Sequence, residues 1–446
     1  MEADFSTLHD LSIIHPDDEQ SLLKKLDYCQ TDGGRKKLYD LFTHPHKTIE
    51  QITQTQVVIQ TIRAQSSKWP ASITNGTIQM IDQFYAYPLG SIPKNSLISI
   101  ALYQFFSKNE YGMVRFSFHH FCDFIKGIKS IAELIKEEND SKVLHEINKE
   151  ISDILSIPKI NRIVNTVQTQ LNKPLNMLQL SHFLYHEFKS KFQKLKEIYF
   201  KLDAWRSMAV AMQKHDLHFP EWIESESPIL EVRNLRHLLL AHPVGYDIKL
   251  QQESNFIFLT GANMAGKSTF IKSVGAAVYL AHIGMGVPAN TMKLSLFGGI
   301  ISNIQVQDNI SKGESYFYNE VQRVKTTLSK ITDGRRWLVL IDELFKGTNI
   351  QDAMLCSKTV IEGLAYVNKS IFILSTHLYE IGEDLKKYPN ILFRYFETIS
   401  KDDQISFSYQ LKEGISDDRF GYLILKNVKV TDIIRQIKEN KSKDLL

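Results

Sequence analysis

Apolar residues between about residues 11 and 215 recur every three or four positions. Phe121, Ile125, Ile128, Ile131 and Ile135 form one such stripe, and Leu144, Ile147, Ile151 and Ile154 form another. A longer series runs through Phe188, Phe192, Leu195, Tyr199, Leu202, Ala209 and Met212. Its spacing predicts a helix of roughly thirty residues with a narrow apolar seam. Breaks are expected at the Asp32-Gly33-Gly34 turn, at Pro88 to Pro93, and at Pro158 and Pro174. The pattern reads as an all-α unit whose stripes serve helix packing.

Beyond Pro220 the period changes. Phe256 to Thr260, Leu338 to Ile341 and Ile371 to Ser375 are short, unbroken apolar runs, as expected of strands buried on both faces. Helical segments alternate with them, which predicts a largely parallel α/β sheet. Near the end, Ile405, Phe407, Tyr409 and Leu411 alternate with polar residues. With Leu392 to Thr398, across the polar turn at Ser400 to Gln404, they predict an antiparallel hairpin on the sheet's edge.

A chain of 446 residues exceeds one average core, so two domains are expected: residues 1–220, helical, and residues 221–446, α/β. A net charge of +3 permits a nucleic-acid partner without arguing for one, because no block of like charge stands out. Cys29, Cys122 and Cys356 are far apart and form no CxxC pair, so neither a disulfide framework nor a zinc site is indicated. Acidic residues crowd the first twenty positions, the wrong sign for a signal peptide, and no apolar run is long enough to span a bilayer. The expectation is a reduced, cytoplasmic protein with no membrane partner.

Candidate chemistry lies in the second half. Residues 261–268 read Gly-Ala-Asn-Met-Ala-Gly-Lys-Ser, the full G-x-x-x-x-G-K-[ST] pattern, placed after a strand and before a helix. Gly261, Ala262, Asn263, Met264, Ala265 and Gly266 would turn their backbone N–H groups around phosphate oxygens, with Thr269 in the first turn of the helix behind them. Lys267 would reach the β- and γ-phosphates of ATP, and the Ser268 hydroxyl would ligate Mg²⁺. An incidental glycine-rich turn would lack this strand–loop–helix setting.

Trp337 to Ile341 is an apolar run that ends in Asp342 and Glu343. Such a pair can simply mark a strand's exposed end. Beside a phosphate loop, Asp342 is suited to hold magnesium through its water shell and Glu343 to act as general base. Ser375-Thr376-His377 follows the next strand, where His377 can sense a γ-phosphate, although a lone histidine is more often structural. Lys312-Gly313-Glu314-Ser315 by itself says only that the chain turns.

In this order the elements resemble the ATPase domain of the MutS mismatch-repair family, itself related to ABC-type ATPases. The stretches that carry the likeness are "TGANMAGKST", "HIGMGVPA", "QDNISKGESYF", "LVLIDELFKGTN" and "ILSTHLYEI". In the helical half, "LDYCQTDGGRKKLYDLFTHPHKTIEQITQTQVVI" and "YFKLDAWRSMAVAM" are similar to the family's core and lever segments. The resemblance implies a helical core/lever domain followed by an ABC-type P-loop ATPase domain. It also implies a homodimer through the ATPase domain, in which Gly313 and Ser315 cap the partner's γ-phosphate.

The departures shape the expected function. No mismatch-reading domain is expected before residue 20, the clamp at the lever tips is expected to be reduced, and no endonuclease domain is expected at the end. Acidic Glu314 replaces a basic residue of the family's loop, and Pro243-Val244 stands where the family stacks an aromatic on adenine. The reading is a DNA-binding, DNA-repair type ATPase that couples ATP–Mg²⁺ hydrolysis to its levers without reading mismatches. Two rivals stand beside it: an ATP-switched protein-interaction module, and a scaffold that binds nucleotide without turnover. The lysines of "GGRKKLYD" and "KSKFQKLKEIYFKLD" read as solvated helix faces more readily than as a DNA track.

Overall fold

The helix Lys189–Lys214 is the spine of the first half of the chain. Its buried seam includes Phe192, Leu195, Tyr199, Leu202, Ala209 and Met212, and it packs on the helices Asp32–Thr43 and Ile49–Ala64. The computed structural model describes residues 1–94, 96–136, 141–304, 316–401, 404–416, 425 and 427–443. The stripes at 121–135 and 144–154 are the inward faces of the helices Lys108–Lys136 and Lys142–Leu155. At 26 residues the spine is somewhat shorter than its apolar series suggests, because Phe188 precedes the first turn.

One expected break is a helix start instead. Asp32, Gly33 and Gly34 form the first turn of Asp32–Thr43, and the Thr31 hydroxyl accepts from the Gly34 N–H at 3.1 Å. The glycines serve close approach: a Cβ on Gly33 would lie 2.3 Å from the Phe200 ring, and one on Gly34 would lie 2.2 Å from Asp203 Oδ2. Asp203 is buried and accepts from the N–H groups of Gln30 and Thr31 and from the Thr31 hydroxyl, which satisfies its oxygens. Pro158 and Pro174 do separate helices, each opening a new one at a position whose N–H has no intrahelical partner.

Ten strands follow. A four-stranded sheet has the order β1 (Glu221–Trp222), β5 (Thr291–Leu294), β2 (Leu230–Leu235) and β3 (Tyr246–Leu250). A six-stranded sheet has the order β10 (Gln404–Glu413), β9 (Ile391–Lys401), β4 (Phe256–Thr260), β8 (Ile371–Ser375), β7 (Trp337–Asp342) and β6 (Gly299–Asn303). Neighbours from β9 to β6 run parallel, and β10 pairs antiparallel with β9 at the edge.

Every residue of β4, β7 and β8 is buried, which explains their unbroken apolar sequences. Alternate residues feed two cores. Ile257, Leu259, Leu338, Leu340, Ile371 and Ile373 join the core that continues into the helices, while Phe256, Phe258, Val339, Ile341, Phe372 and Leu374 face the other. The opposite edge of this sheet carries the chain's first residues. Glu2 bridges to Gly299, the helix Phe5–Asp10 packs on β6, and Asp10 accepts from the Ser302 hydroxyl at 2.7 Å and the Ile304 N–H at 3.0 Å.

Candidate functional site

The loop after β4 turns through left-handed backbone at Gly261 (φ 132°) and Gly266 (φ 109°) before the helix Lys267–His282 begins. Both positions suit glycine, and a Cβ on Gly261 would sit 3.1 Å from the Phe396 carbonyl oxygen on β9. Met264, also left-handed at φ 71°, is exposed at the loop's crest. The N-terminal end of the helix thus faces the space above the sheet, an electrostatic setting that favours anions.

Lys267 is buried, and its ammonium donates to the carbonyls of Gly261 at 2.7 Å and Ala262 at 3.1 Å. Burial lowers its pKa below the ordinary lysine value, with Glu343 and Asp342 pulling the other way. Asp342 ends β7 with both oxygens engaged: the Ser268 hydroxyl donates to one and the Ser375 hydroxyl to the other. Ser268 and Asp342 present hard oxygen donors side by side, a donor set that suits Mg²⁺, which keeps most of its waters and takes few protein ligands. Among the described residues no cluster of three or more His, Cys, Asp and Glu side chains forms an all-protein metal cage.

Glu343 has left the strand. Its backbone is left-handed at φ 61°, and its N–H donates to the Ser375 carbonyl at 3.0 Å. The carboxylate pairs with Lys346 at 3.1 Å and lies 3.9 Å from His377 Nδ1. Burial disfavours the Lys346 charge, but the adjacent Glu343, together with Asp342 and Tyr316, outweighs it, so its pKa is held above the ordinary lysine value.

These groups converge on one pocket of about 630 Å³, lined by the loop residues Asn263 and Met264, by Lys267, Ser268 and Thr269, and by Asp342, Glu343 and Lys346. Ala262 and Ala265 are buried within the loop. His377 stands at the rim with its side chain half exposed. Gly313 and Ser315 lie outside the described residues.

Sequence reasoning passed over three groups. Ser375 was only the lead-in to His377, yet it holds the second oxygen of Asp342. Lys346 was part of a motif without a role of its own. Tyr409 read as one more inward residue of an alternating strand. Its backbone is instead left-handed at φ 53° inside a bulge, since Phe407 pairs with Thr398 and Leu411 with Phe396. The bulge re-aims the side chain into the pocket, near Val244. The pocket therefore contains two tyrosines, Tyr246 and Tyr409, although neither is at Pro243-Val244. An excess of residues on one arm of a hairpin is the sequence signal that could have found it.

The geometry of a phosphate-type loop, a doubly held aspartate and an adjacent glutamate agrees with a family match. Residues 257–445 match MutS domain V. This part of the chain is similar to the MutS family. It is 30% identical over 244 residues to the DNA mismatch repair protein MutS of Petrotoga mobilis, which covers 54% of this chain and 30% of that protein. Against MutS of Lactococcus lactis subsp. cremoris it is 28% identical over 271 residues, 57% of this chain and 32% of the relative. The DNA mismatch repair protein spellchecker 1 of Drosophila melanogaster is 30% identical over 235 residues, 51% of this chain and 25% of the relative. This MutS-like chain thus spans about a third or less of the length of the curated relatives it matches. No helix among the described residues is long and apolar enough to cross a membrane.

Proposed function

We propose that this MutS-like protein is a cytoplasmic ATPase that binds ATP–Mg²⁺ in the pocket above β4 and β7 and couples its hydrolysis to a DNA ligand of the helical half. The observation that carries the reading is the convergence of Lys267, the Ser268–Asp342 pair and Glu343 on that one pocket. Lys267 trades its two carbonyl partners for the β- and γ-phosphate oxygens, and the loop's N–H groups cradle them. Ser268 and Asp342 would hold Mg²⁺, which would supply positive charge to offset that of the phosphates. Glu343 orients and deprotonates the attacking water, while His377 senses the γ-phosphate from the rim. Tyr409 offers a face to the base.

Two such domains are proposed to form a homodimer in which Gly313 and Ser315 complete the partner's site. DNA enters from the relatives' names, DNA mismatch repair proteins that this chain covers only in part. A second reading, a lever that grips a protein under ATP control, is favoured by one observation. Lys37, Lys194 and Lys196 on the helical faces already pair with Glu197, Glu150 and Asp82.

Steady-state ATP hydrolysis with and without duplex, branched and single-stranded DNA tests the proposal. Lys267→Ala should abolish nucleotide binding, whereas Glu343→Gln should bind ATP and stall. Unchanged turnover in both variants would overturn the ATPase, and turnover indifferent to every DNA would move the ligand to a protein. Lys267→Ala and Ser315→Ala subunits, each inactive alone, should regain activity on mixing if the sites are composite.

A further inference from the structure

The helix Tyr316–Ile331 turns Glu320, Val324, Thr327 and Ile331 inward. Glu320 is the exception on that stripe, a carboxylate left only 4% exposed. Buried carboxylates occur where something holds them. Here one oxygen accepts from the Lys346 N–H and the other from the Gly347 N–H, each at 3.1 Å. Both N–H groups belong to the loop that starts with Glu343.

That loop is unusual backbone. Glu343 at φ 61° and Phe345 at φ 58° both occupy the left-handed region without being glycine. Such conformations persist only where the surroundings over-determine them. From the sheet, the Ser375 carbonyl holds the Glu343 N–H. Further restraints come from the helix Tyr316–Ile331. Beyond the two bonds to Glu320, the Phe317 and Phe345 rings meet at 5.8 Å, and a Cβ on Gly347 would lie 2.7 Å from the Phe317 nitrogen. The first turn of the helix and the loop therefore fit as one body, and Lys346, fixed by that fit, pairs with Glu343 at 3.1 Å.

We propose that Glu320 is a positioning residue for Glu343: its two acceptor bonds to the Lys346 and Gly347 N–H groups set the backbone that aims the Glu343 carboxylate into the pocket. The inference rests on Glu343 being the base of an ATPase, as proposed above. Glu320 touches no nucleotide in this scheme. Its effect passes through the loop, so it acts on the chemical step and leaves nucleotide binding to Lys267 and the phosphate loop.

The test uses Glu320→Gln in the full-length protein. The substitution keeps shape and burial but replaces one acceptor oxygen with an NH₂ group that cannot accept from an N–H. Misplacing a reacting group by a fraction of an ångström should lower kcat roughly 10- to 100-fold. The KM for ATP and the affinity for a non-hydrolysable ATP analogue should move less than about threefold, the signature of an interaction used in the transition state alone. Adding Glu320→Gln to Glu343→Gln should cost nothing further, because the two act as one unit. Gly347→Ala, which pushes the same loop from its other side, should reproduce the kcat loss if Glu320→Gln folds poorly. Losses that multiply in the double variant, a raised KM with unchanged kcat, or wild-type turnover in both Glu320→Gln and Gly347→Ala would overturn the positioning role. Those outcomes leave the ATPase standing as long as Glu343→Gln stalls. Wild-type turnover of Glu343→Gln would instead remove the ATPase reading, and this inference with it.

Discussion

The Ser375 hydroxyl donates to the oxygen of Asp342 that Ser268 leaves free. The bond spans two neighbouring parallel strands, since Asp342 on β7 and Ser375 on β8 are register partners. It fixes the carboxylate's orientation, so that the oxygen shared with Ser268 faces the pocket. Ser375 itself is fully buried.

Ser375→Ala should therefore leave a buried carboxylate oxygen short of a partner, a destabilisation of about 1–3 kcal/mol. If Asp342 holds Mg²⁺ as proposed, the Mg²⁺ concentration for half-maximal turnover should rise as well. Urea unfolding and a Mg²⁺ titration of ATPase rate read the two effects separately. A destabilised variant with an unshifted Mg²⁺ requirement would make Ser375 purely structural.

Tyr409 lines the pocket, and its ring lies 3.4 Å from where a Cβ on Gly266 would stand. Stacking of a base on an aromatic is worth about 1–3 kcal/mol per base by alanine substitution. Tyr409→Ala should weaken ATP binding by roughly fivefold at the low end of that range, and Tyr409→Phe should keep most of the affinity. Equal affinity in wild type and Tyr409→Ala would show that the base lies elsewhere.

The fold's buried histidines predict a stability loss in mild acid. His282 is fully buried, with Nδ1 2.8 Å from the Val278 carbonyl and Nε2 accepting the Phe297 N–H at 3.1 Å. That arrangement needs the neutral ring, and burial pushes its pKa down to about 3. Burial likewise takes His237 down to about 4, helped by Lys272 and Lys25. Both rings regain a value of ~6.5 once the chain unfolds. Below that pH the unfolded state binds more protons than the folded one, so stability must fall as pH falls and level off above it. The urea midpoint should drop between pH 7.5 and 5.5, before most carboxylates titrate. A flat midpoint across that window would contradict neutral, buried rings.

The same elements show what a sequence exposes and what it hides. β4, β7 and β8 were legible because strands buried on both faces write continuous apolar runs. The glycine turn between β4 and the helix Lys267–His282 was legible because its glycines, lysine and serine are local to one stretch. Gly33 and Gly34 misled: their composition says turn, but the reason for them is a helix about 170 residues away, at Phe200 and Asp203. Tyr409 was hidden because alternation reads the same through a bulge until pairing is known. Ser375 and Glu320 were hidden for a related reason, since their partners lie across strands and helices and no spacing encodes them.

The ligand of the helical half gives the last prediction. Any DNA binding should be directed at the backbone or at structure and indifferent to mismatches, because phosphate contacts position a protein without carrying sequence information. Binding should weaken steeply with salt, with a log–log slope close to the number of phosphates neutralised. Of the candidate lysines Lys36, Lys37, Lys191, Lys194 and Lys196, three are committed to acids: Lys37 to Glu197 at 3.0 Å, Lys194 to Glu150 at 3.3 Å and Lys196 to Asp82 at 2.8 Å. DNA must outcompete those acids to use them. The pairs at Lys37 and Lys194 are open to solvent and cost little to break, whereas Lys196 is the most enclosed of the three. Charge removal at Lys37 and Lys194 should accordingly flatten the salt slope, and removal at Lys196 should mainly reduce stability. Titrating matched and single-mismatch duplexes at several salt concentrations decides the matter. A preference for the mismatch above about tenfold, roughly 1.4 kcal/mol, would place a base reader in the helical half. No binding even at low salt would leave the acid-paired faces to a protein partner.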